Sequence, residues 1–575
     1  MSITITPNLR KPALFLLALS LAGVCSAGQM ENLRVGGARF GYFNFGLDGA
    51  VRIPAPPKQR PAGLLPPEVA AKLPALGIKL EEEDLWRLQE IYNLWRQAGA
   101  GLWPGLQGLE TTPLQFSFPH KYNILLGHPN PPADCLPFSD RLPAASFCYR
   151  KDAAFAFGGL AGPVNGIPTV SFNTLDAQDE YVNQLYPGNN YKADYLQTMA
   201  TVSHELLHAF QYREKKFLPQ ESGYGGLSKV DYPYTDPELN MLVGLEGRIL
   251  AAALDAGDAG GLAELARDFM AVRAERHSRL PPAMPVLGRY MELVEGTAQY
   301  ISYKVQYGAH AAVTPLAETL LDPRFPGYAP KDTAAAALKA RLGALHTYNY
   351  NKFATYTYQT GAALALLLDK LSPSWKKDIF RTCSGKGRGL DTLLEELITP
   401  DNSPARLDRA KARYGAPELL AAAEQDLAAL LAENKRLIDA FRAAPGPRVL
   451  LAFPGAAEDL TIYAPGSMVE YAGERLYDKG CSAIEYQGAA GEITFARAVP
   501  VLLDKKNATV ELALPAGLQG APSITADSAV QSGSATVYAG NVAYDNGLFS
   551  WKGAKLGVTE IDGNTILTFY PAPEK

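Results

Sequence analysis

His204-Glu205-Leu206-Leu207-His208 places two imidazoles and a carboxylate within five residues. Two histidines four residues apart lie on one face of an α-helix, one turn from each other, so both can bind a single Zn²⁺. The glutamate after the first histidine points into the same site and can take a proton from a metal-bound water. The chain holds seven histidines in 575 residues, which makes chance assembly of this pentapeptide a poor explanation. The chemistry it suits is metal-assisted hydrolysis, with His204 and His208 as ligands and Glu205 as general base.

A catalytic zinc takes a third protein ligand and keeps a position open for water. Glu214 sits ten positions after His204, where metzincins place that ligand, but their chain turns back at a glycine three residues after the second histidine. Gln211 stands there, so the helix is expected to continue and carry Glu214 away. The better candidate is Glu295, in Glu292-Leu-Val-Glu295-Gly-Thr-Ala-Gln-Tyr300, with Glu292, one turn earlier, as the fallback. The small Gly296 and Ala298 would let this second helix pack closely on the first.

Glu295-Gly296-Thr297-Ala298-Gln299-Tyr300 matches every fixed position of the pattern E-G-x-A-x-Y. With the HELLH run, the chain resembles gluzincins of the thermolysin and aminopeptidase-like peptidase clan over roughly residues 115–375. The resemblance implies a zinc metallopeptidase with His204, His208 and Glu295 as ligands and Glu205 as base and then acid. It also implies a zincin core, with a mixed-sheet upper lobe whose edge strand aligns a peptide and a helical lower lobe. The separation of 295 − 208 = 87 residues implies a helical insertion between the two metal-binding helices. Gln299 falls where thermolysin has an aspartate that orients a zinc-bound histidine. Tyr358-Gln-Thr-Gly361 resembles the aminopeptidase Y-x-x-G motif that opens a helix, which makes Tyr358 the expected donor to the oxyanion; His346 is the alternative. No counterpart of the aminopeptidase G-x-M-E-N loop precedes HELLH, so internal peptide bonds are the expected target. His120, His128, His277 and His310 are read as structural or surface residues.

The elements that must position these groups follow from patterning. Glu81–Gln97 carries Leu85, Leu88, Ile91, Tyr92 and Trp95 at helical spacing; Tyr122–Leu126 and Thr169–Phe172 read as strands. The HELLH helix is expected from about Asp194 to Lys216. Helices follow at Leu242–Ala253, Gly260–Arg276, Gly288–Val305, Gly361–Leu371 and Pro417–Ala443. After Pro445-Gly446-Pro447 the pattern alternates, with turn signals at Asn507, Asp545-Asn546-Gly547 and Asp562-Gly563-Asn564, as in a β-sandwich. The expected organisation is α+β: a signal segment (1–27), a Pro/Gly-rich segment with one helix (28–114), a zincin-like domain (115–444) and an all-β domain (445–575).

Arg10, Lys11, the apolar run Ala13–Val24 and Cys25-Ser26-Ala27 read as an export signal, with cleavage expected before Gly28. This implies a secreted or periplasmic chain with no integral membrane segment after cleavage. Acylation of Cys25 is the weaker alternative, because Val24 precedes it. Four cysteines then remain, with Cys135–Cys148 the natural local pair and Cys383–Cys481 a guess among the possible pairings. The hydrophobic fraction of 47% and net charge of −5 suit a globular protein without a nucleic-acid footprint. The expected partner is a protein or peptide substrate. The competing reading is an exported, envelope-associated binding protein in which a zincin scaffold carries a vestigial site.

Overall fold

The computed structural model describes residues 64–570 apart from 105–111, 120, 140–146, 152–157, 186–189, 214–231, 308–312, 329–332, 348–351, 383–387, 447, 454–459, 464–467, 487–491, 514–521 and 562–563. The signal segment with Cys25, most of the Pro/Gly-rich stretch, His120, Glu214, His310 and Cys383 lie outside the described residues. The fold is α+β, with a helical region that includes a six-stranded sheet and a C-terminal β-rich sheet. The chain divides into two compact units, Met1–Ala423 and Glu424–Lys575. No helix among the described residues is long and apolar enough to cross a membrane.

In the first unit, α1 (Pro67–Lys72) precedes α2 (Glu82–Leu102). Asp84 accepts from the Glu81 N–H at 3.0 Å, and the acidic first turn of α2 complements the helix dipole. Leu85, Leu88, Ile91 and Trp95 are buried, as their spacing predicts.

The sheet comprises β1 (Leu114–Ser117), β2 (Tyr122–Leu126), β3 (Leu136–Pro137), β4 (Phe147–Lys151), β5 (Gly159–Val164) and β6 (Ile167–Phe172), in the order β3-β4-β2-β1-β6-β5. The β1–β6 pair is parallel and the other pairs are antiparallel. All four residues of β1 are buried, so that strand shows no alternation to read. Edge strand β5, Gly-Leu-Ala-Gly-Pro-Val, has two glycines and a proline, which weakens its strand signal; proline is tolerated at an edge. The expected Cys135–Cys148 disulfide joins β4 to the residue just before β3.

Then come α3 (Leu175–Leu185), α4 (Tyr195–Arg213), α5 (Pro237–Asp255), α6 (Ala259–Ser278) and α7 (Ala283–Met291). A π-helical turn, Glu292–Gly296, runs straight into α8 (Thr297–Tyr307). After it lie α9 (Thr333–Gly343), α10 (Lys352–Leu371), α11 (Trp375–Thr382), α12 (Leu390–Leu397), α13 (Pro404–Arg413) and α14 (Ala416–Ala443). Start signals are chemical: Asp194 accepts from the Gln197 N–H, Asp236 from Glu238 and Leu239, and Asp258 from Gly261. Helix α4 packs between β5 and β6 on one side and α8 on the other, while α10 packs on the π-helical turn and α8.

In the second unit, β7 (Arg448–Ala452), β8 (Leu460–Tyr463), β9 (Val469–Tyr471), β10 (Glu474–Tyr486), β11 (Glu492–Asp504), β12 (Thr509–Ala513), β13 (Ser523–Thr525), β14 (Ser528–Ser532), β15 (Ala535–Asp545), β16 (Phe549–Ile561) and β17 (Asn564–Phe569) form one sheet. Its order is β13-β15-β16-β17-β7-β12-β11-β10-β8, with β14 on β15 and β9 on β10. A further β11–β16 pairing closes β16-β17-β7-β12-β11 into a ring around Leu451, Val501, Val510, Leu512, Leu556 and Leu567. Where a two-sheet sandwich was expected, the strands belong to one sheet that pairs back on itself. The second half of α14 goes with this unit: Ile438 and Phe441 pack on Val469, Leu476 and Leu502. Cys481 is buried there, with its Sγ 3.0 Å from the Ala483 carbonyl oxygen.

Candidate metal centre

Helix α4 presents His204 and His208 on the face toward α8, with ring centroids 4.7 Å apart. The two Nε2 atoms are 3.0 Å apart, and Glu295 Oε2 lies 3.4 Å from His204 Nε2 and 3.3 Å from His208 Nε2. Each Nδ1 is tied back. Gln211 Oε1 lies 2.8 Å from His208 Nδ1, and the Gln211 amide donates to the Val294 carbonyl at 3.1 Å and to Thr297 Oγ1 at 3.2 Å. Ser302 Oγ donates to the Ala200 carbonyl and lies 3.4 Å from His204 Nδ1, placed to accept from it. With both ring protons on Nδ1, three electron-pair donors converge with no hydrogen between them. A cation satisfies all three, and His204, His208 and Glu295 together could hold a metal ion.

Burial sets the electrostatics. His204 is fully buried, which drives its pKa down to about 4 despite the neighbouring Glu295. Burial also opposes charge on His208, but Glu295 beside it outweighs this and pushes it up to about 9.

Glu205 points to the opposite flank, against β5. Neither of its carboxylate oxygens has a hydrogen-bond partner of normal geometry among the described residues. Burial lifts its pKa to about 8, with His208 pulling it down, Glu295 pushing it up and the Ala161 backbone of β5 pulling it down. Strand β5 comes this close because of Gly159. A Cβ there would lie 2.9 Å from Glu205 Cγ, 2.9 Å from Thr201 Cγ2 and 3.1 Å from Glu205 Oε1.

The other sequence candidates separate cleanly. Tyr358 reaches the site: its ring stacks on His204 at 5.9 Å between centroids and 7° between planes. It does so from within α10, not from a helix start. Gly361 has a packing task, since a Cβ on it would lie 2.7 Å from the Glu292 carbonyl oxygen and 2.7 Å from Gly296 Cα. Gly296 thus faces α10, not the HELLH helix as expected. Glu292 is not a ligand: Arg273 and Thr360 occupy its oxygens. His346 Nδ1 pairs with the Gly343 carbonyl, and its Cβ abuts Gly244. His277 is half-buried beside Arg276, and His128 Nε2 meets the Val164 carbonyl.

Gln299 is half-buried, and the groups beside the two histidine Nδ1 atoms are Gln211 and Ser302 instead. Sequence reasoning used Gln211 only to exclude a turn. Its spacing of three from His208, on the same helical face, was the available signal. Ser302, from α8, has no local signal at all.

No protein-family model, curated protein or solved structure matches the chain.

Proposed function

We propose that the chain is an exported, gluzincin-type zinc peptidase that cleaves internal peptide bonds. One observation carries this reading: His204 Nε2, His208 Nε2 and Glu295 Oε2 converge within 3.0–3.4 Å, while Glu205, on the flank toward β5, interacts electrostatically with His208 and Glu295. The two-histidine, one-carboxylate donor set is the one expected of a catalytic zinc. When bound there, zinc would supply a Lewis acid and make a water nucleophilic near neutral pH.

The chain's own residues do the rest. Glu205, fully buried against β5, takes the proton of the attacking water and passes it to the leaving amine nitrogen. Gln211 and Ser302 hold the rings so that Nε2 faces inward. Tyr358, stacked on His204, is assigned the hydrogen bond to the carbonyl oxygen as charge develops on it. The outer edge of β5, which pairs with no other strand among the described residues and lies beside Glu205, would pair with an extended peptide in the manner of strand addition.

The test is metal analysis combined with cleavage of casein and peptide libraries by wild type and Glu205→Gln. The expected result is one zinc per chain in both proteins, with cleavage lost by about 10²–10⁴-fold in the variant. A folded wild-type chain that takes up no zinc overturns the proposal.

A further inference from the structure

Glu292 and Glu295 occupy the same π-helical turn and are both buried, yet they serve different partners. In a regular α-helix residues three apart share a face. The wider i→i+5 turn spreads them, and such turns mark functional sites. Glu295 is directed at the two histidines. Glu292 is captured completely: Arg273 donates Nη1 to Oε2 at 2.7 Å and Nη2 to Oε1 at 2.6 Å, and Thr360 Oγ1 donates to Oε1 at 2.5 Å.

The captor is itself held. Arg273 also donates to Glu246 at 2.9 Å and lies 3.8 Å from Asp391. Arg276 donates to Glu246 at 2.7 Å, and Arg289 to Asp391 at 2.8 Å. Three arginines thus balance three carboxylates drawn from α5, α6, α7, the π-helical turn and α12. The Arg273, Arg276, Glu246, Glu292 and Asp391 side chains are each at most 2% exposed. A buried ion cluster of this kind is a poor source of stability, because well-packed apolar groups serve as well. Its cost calls for a return of another kind. The backbone supplies the clue: the turn is pressed onto α10, with an added Cβ at Gly296 falling 2.6 Å from Gly361 Cα. The turn is therefore fixed by backbone contact on one side and by Glu292 at its first residue.

We propose that Arg273 and Thr360 are positioning residues for the metal site: by capturing Glu292 they set the register of the π-helical turn, so that Glu295 alone faces His204 and His208. The inference rests on the metal site proposed above. Release of Glu292 would leave two carboxylates competing for one position and a turn free to relax toward regular helix.

The test reads metal affinity, not cleavage. Glu292→Gln, Thr360→Val and a control, Asp369→Asn, are compared with wild type. The control breaks another partly buried ion cluster in which Asp369 accepts from Tyr300, Lys304, Trp375 and Lys376. Zinc affinity is measured by competition with a chromogenic chelator, coordination by the visible spectrum of the cobalt-loaded protein, and folding by melting of the metal-free protein. Glu292→Gln is expected to bind zinc about 10–100-fold more weakly with a shifted cobalt spectrum, as losses of outer-shell partners do. Thr360→Val leaves every ion pair in place, so it folds even if Glu292→Gln does not, and it should show a smaller loss of the same kind. Asp369→Asn should melt earlier and bind zinc normally. Wild-type affinity and spectrum in both Glu292→Gln and Thr360→Val overturn the inference, and so does an equal loss in Asp369→Asn. A wild-type chain that binds neither metal instead overturns the proposed function, and this inference with it.

Discussion

Replacing Gln211 with leucine tests how the second histidine is held. The side chain is 1% exposed and leucine fills nearly the same volume, so packing changes little. Three hydrogen bonds disappear, but they are not equal. Thr297 Oγ1 still donates to the Leu293 carbonyl at 2.6 Å, and the Val294 carbonyl still accepts from the Thr297 backbone N–H. Only the His208 Nδ1–H is stranded, and an unsatisfied buried donor costs about 1–3 kcal/mol. The imidazole can avoid that cost by moving its proton to Nε2, which puts a hydrogen where the metal belongs. Zinc affinity should therefore fall about 10–100-fold, equivalent to about 1.4–2.8 kcal/mol. Gln211→Glu should lose less, because a carboxylate still accepts from Nδ1 even though it can no longer donate to the Val294 carbonyl. Chelator competition at neutral pH gives the affinities, and melting of the metal-free proteins shows that both remain folded. If Gln211→Leu binds zinc as tightly as wild type, the tautomer argument is wrong.

Two more outcomes follow from named contacts. Gly159→Ala sets a methyl group 2.9 Å from Glu205 Cγ, so turnover should fall by at least about tenfold while zinc content stays at wild-type level; unchanged turnover would mean that β5 does not confine Glu205. Burial alone would raise the Asp369 carboxyl, but hydrogen bonds from Lys376, Tyr300, Lys304 and Trp375 prevail and hold it near 2, against 3.8 unperturbed. Its contribution to stability is thus present above about 3.8 and lost as pH falls through 2. The melting-temperature gap between wild type and Asp369→Asn should accordingly shrink as pH drops across that window, and a constant gap would contradict the assignment.

Local periodicity made half of the site legible. Histidines four apart share a helical face whatever surrounds them, and the apolar residues beside them demanded that the helix be buried. The helical stretches after Pro237, the β-rich character after residue 445 and the Cys135–Cys148 pair were readable for the same reason: each depends on neighbours within a few residues. Strand β5 was not, because its glycines and proline carry little strand propensity and its pairing with β6 decides its state.

What tertiary structure alone decided is which polar group serves which partner. Glu292 and Glu295 are the same residue type in the same turn. Arg273, 19 residues away, and Thr360, 68 residues away, take the first and leave the second for the histidines. Gln211 became the support of His208 only because the Val294 carbonyl, 83 residues on, accepts its amide and turns its oxygen toward the ring. Gly361, read as part of a catalytic motif, proved to be the contact that seats the π-helical turn. The sequence by itself determined which residues could bind a metal, since that is set by side-chain chemistry and helical pitch. Which of them converge depends on long-range packing, because a buried carboxylate goes wherever its charge is best compensated.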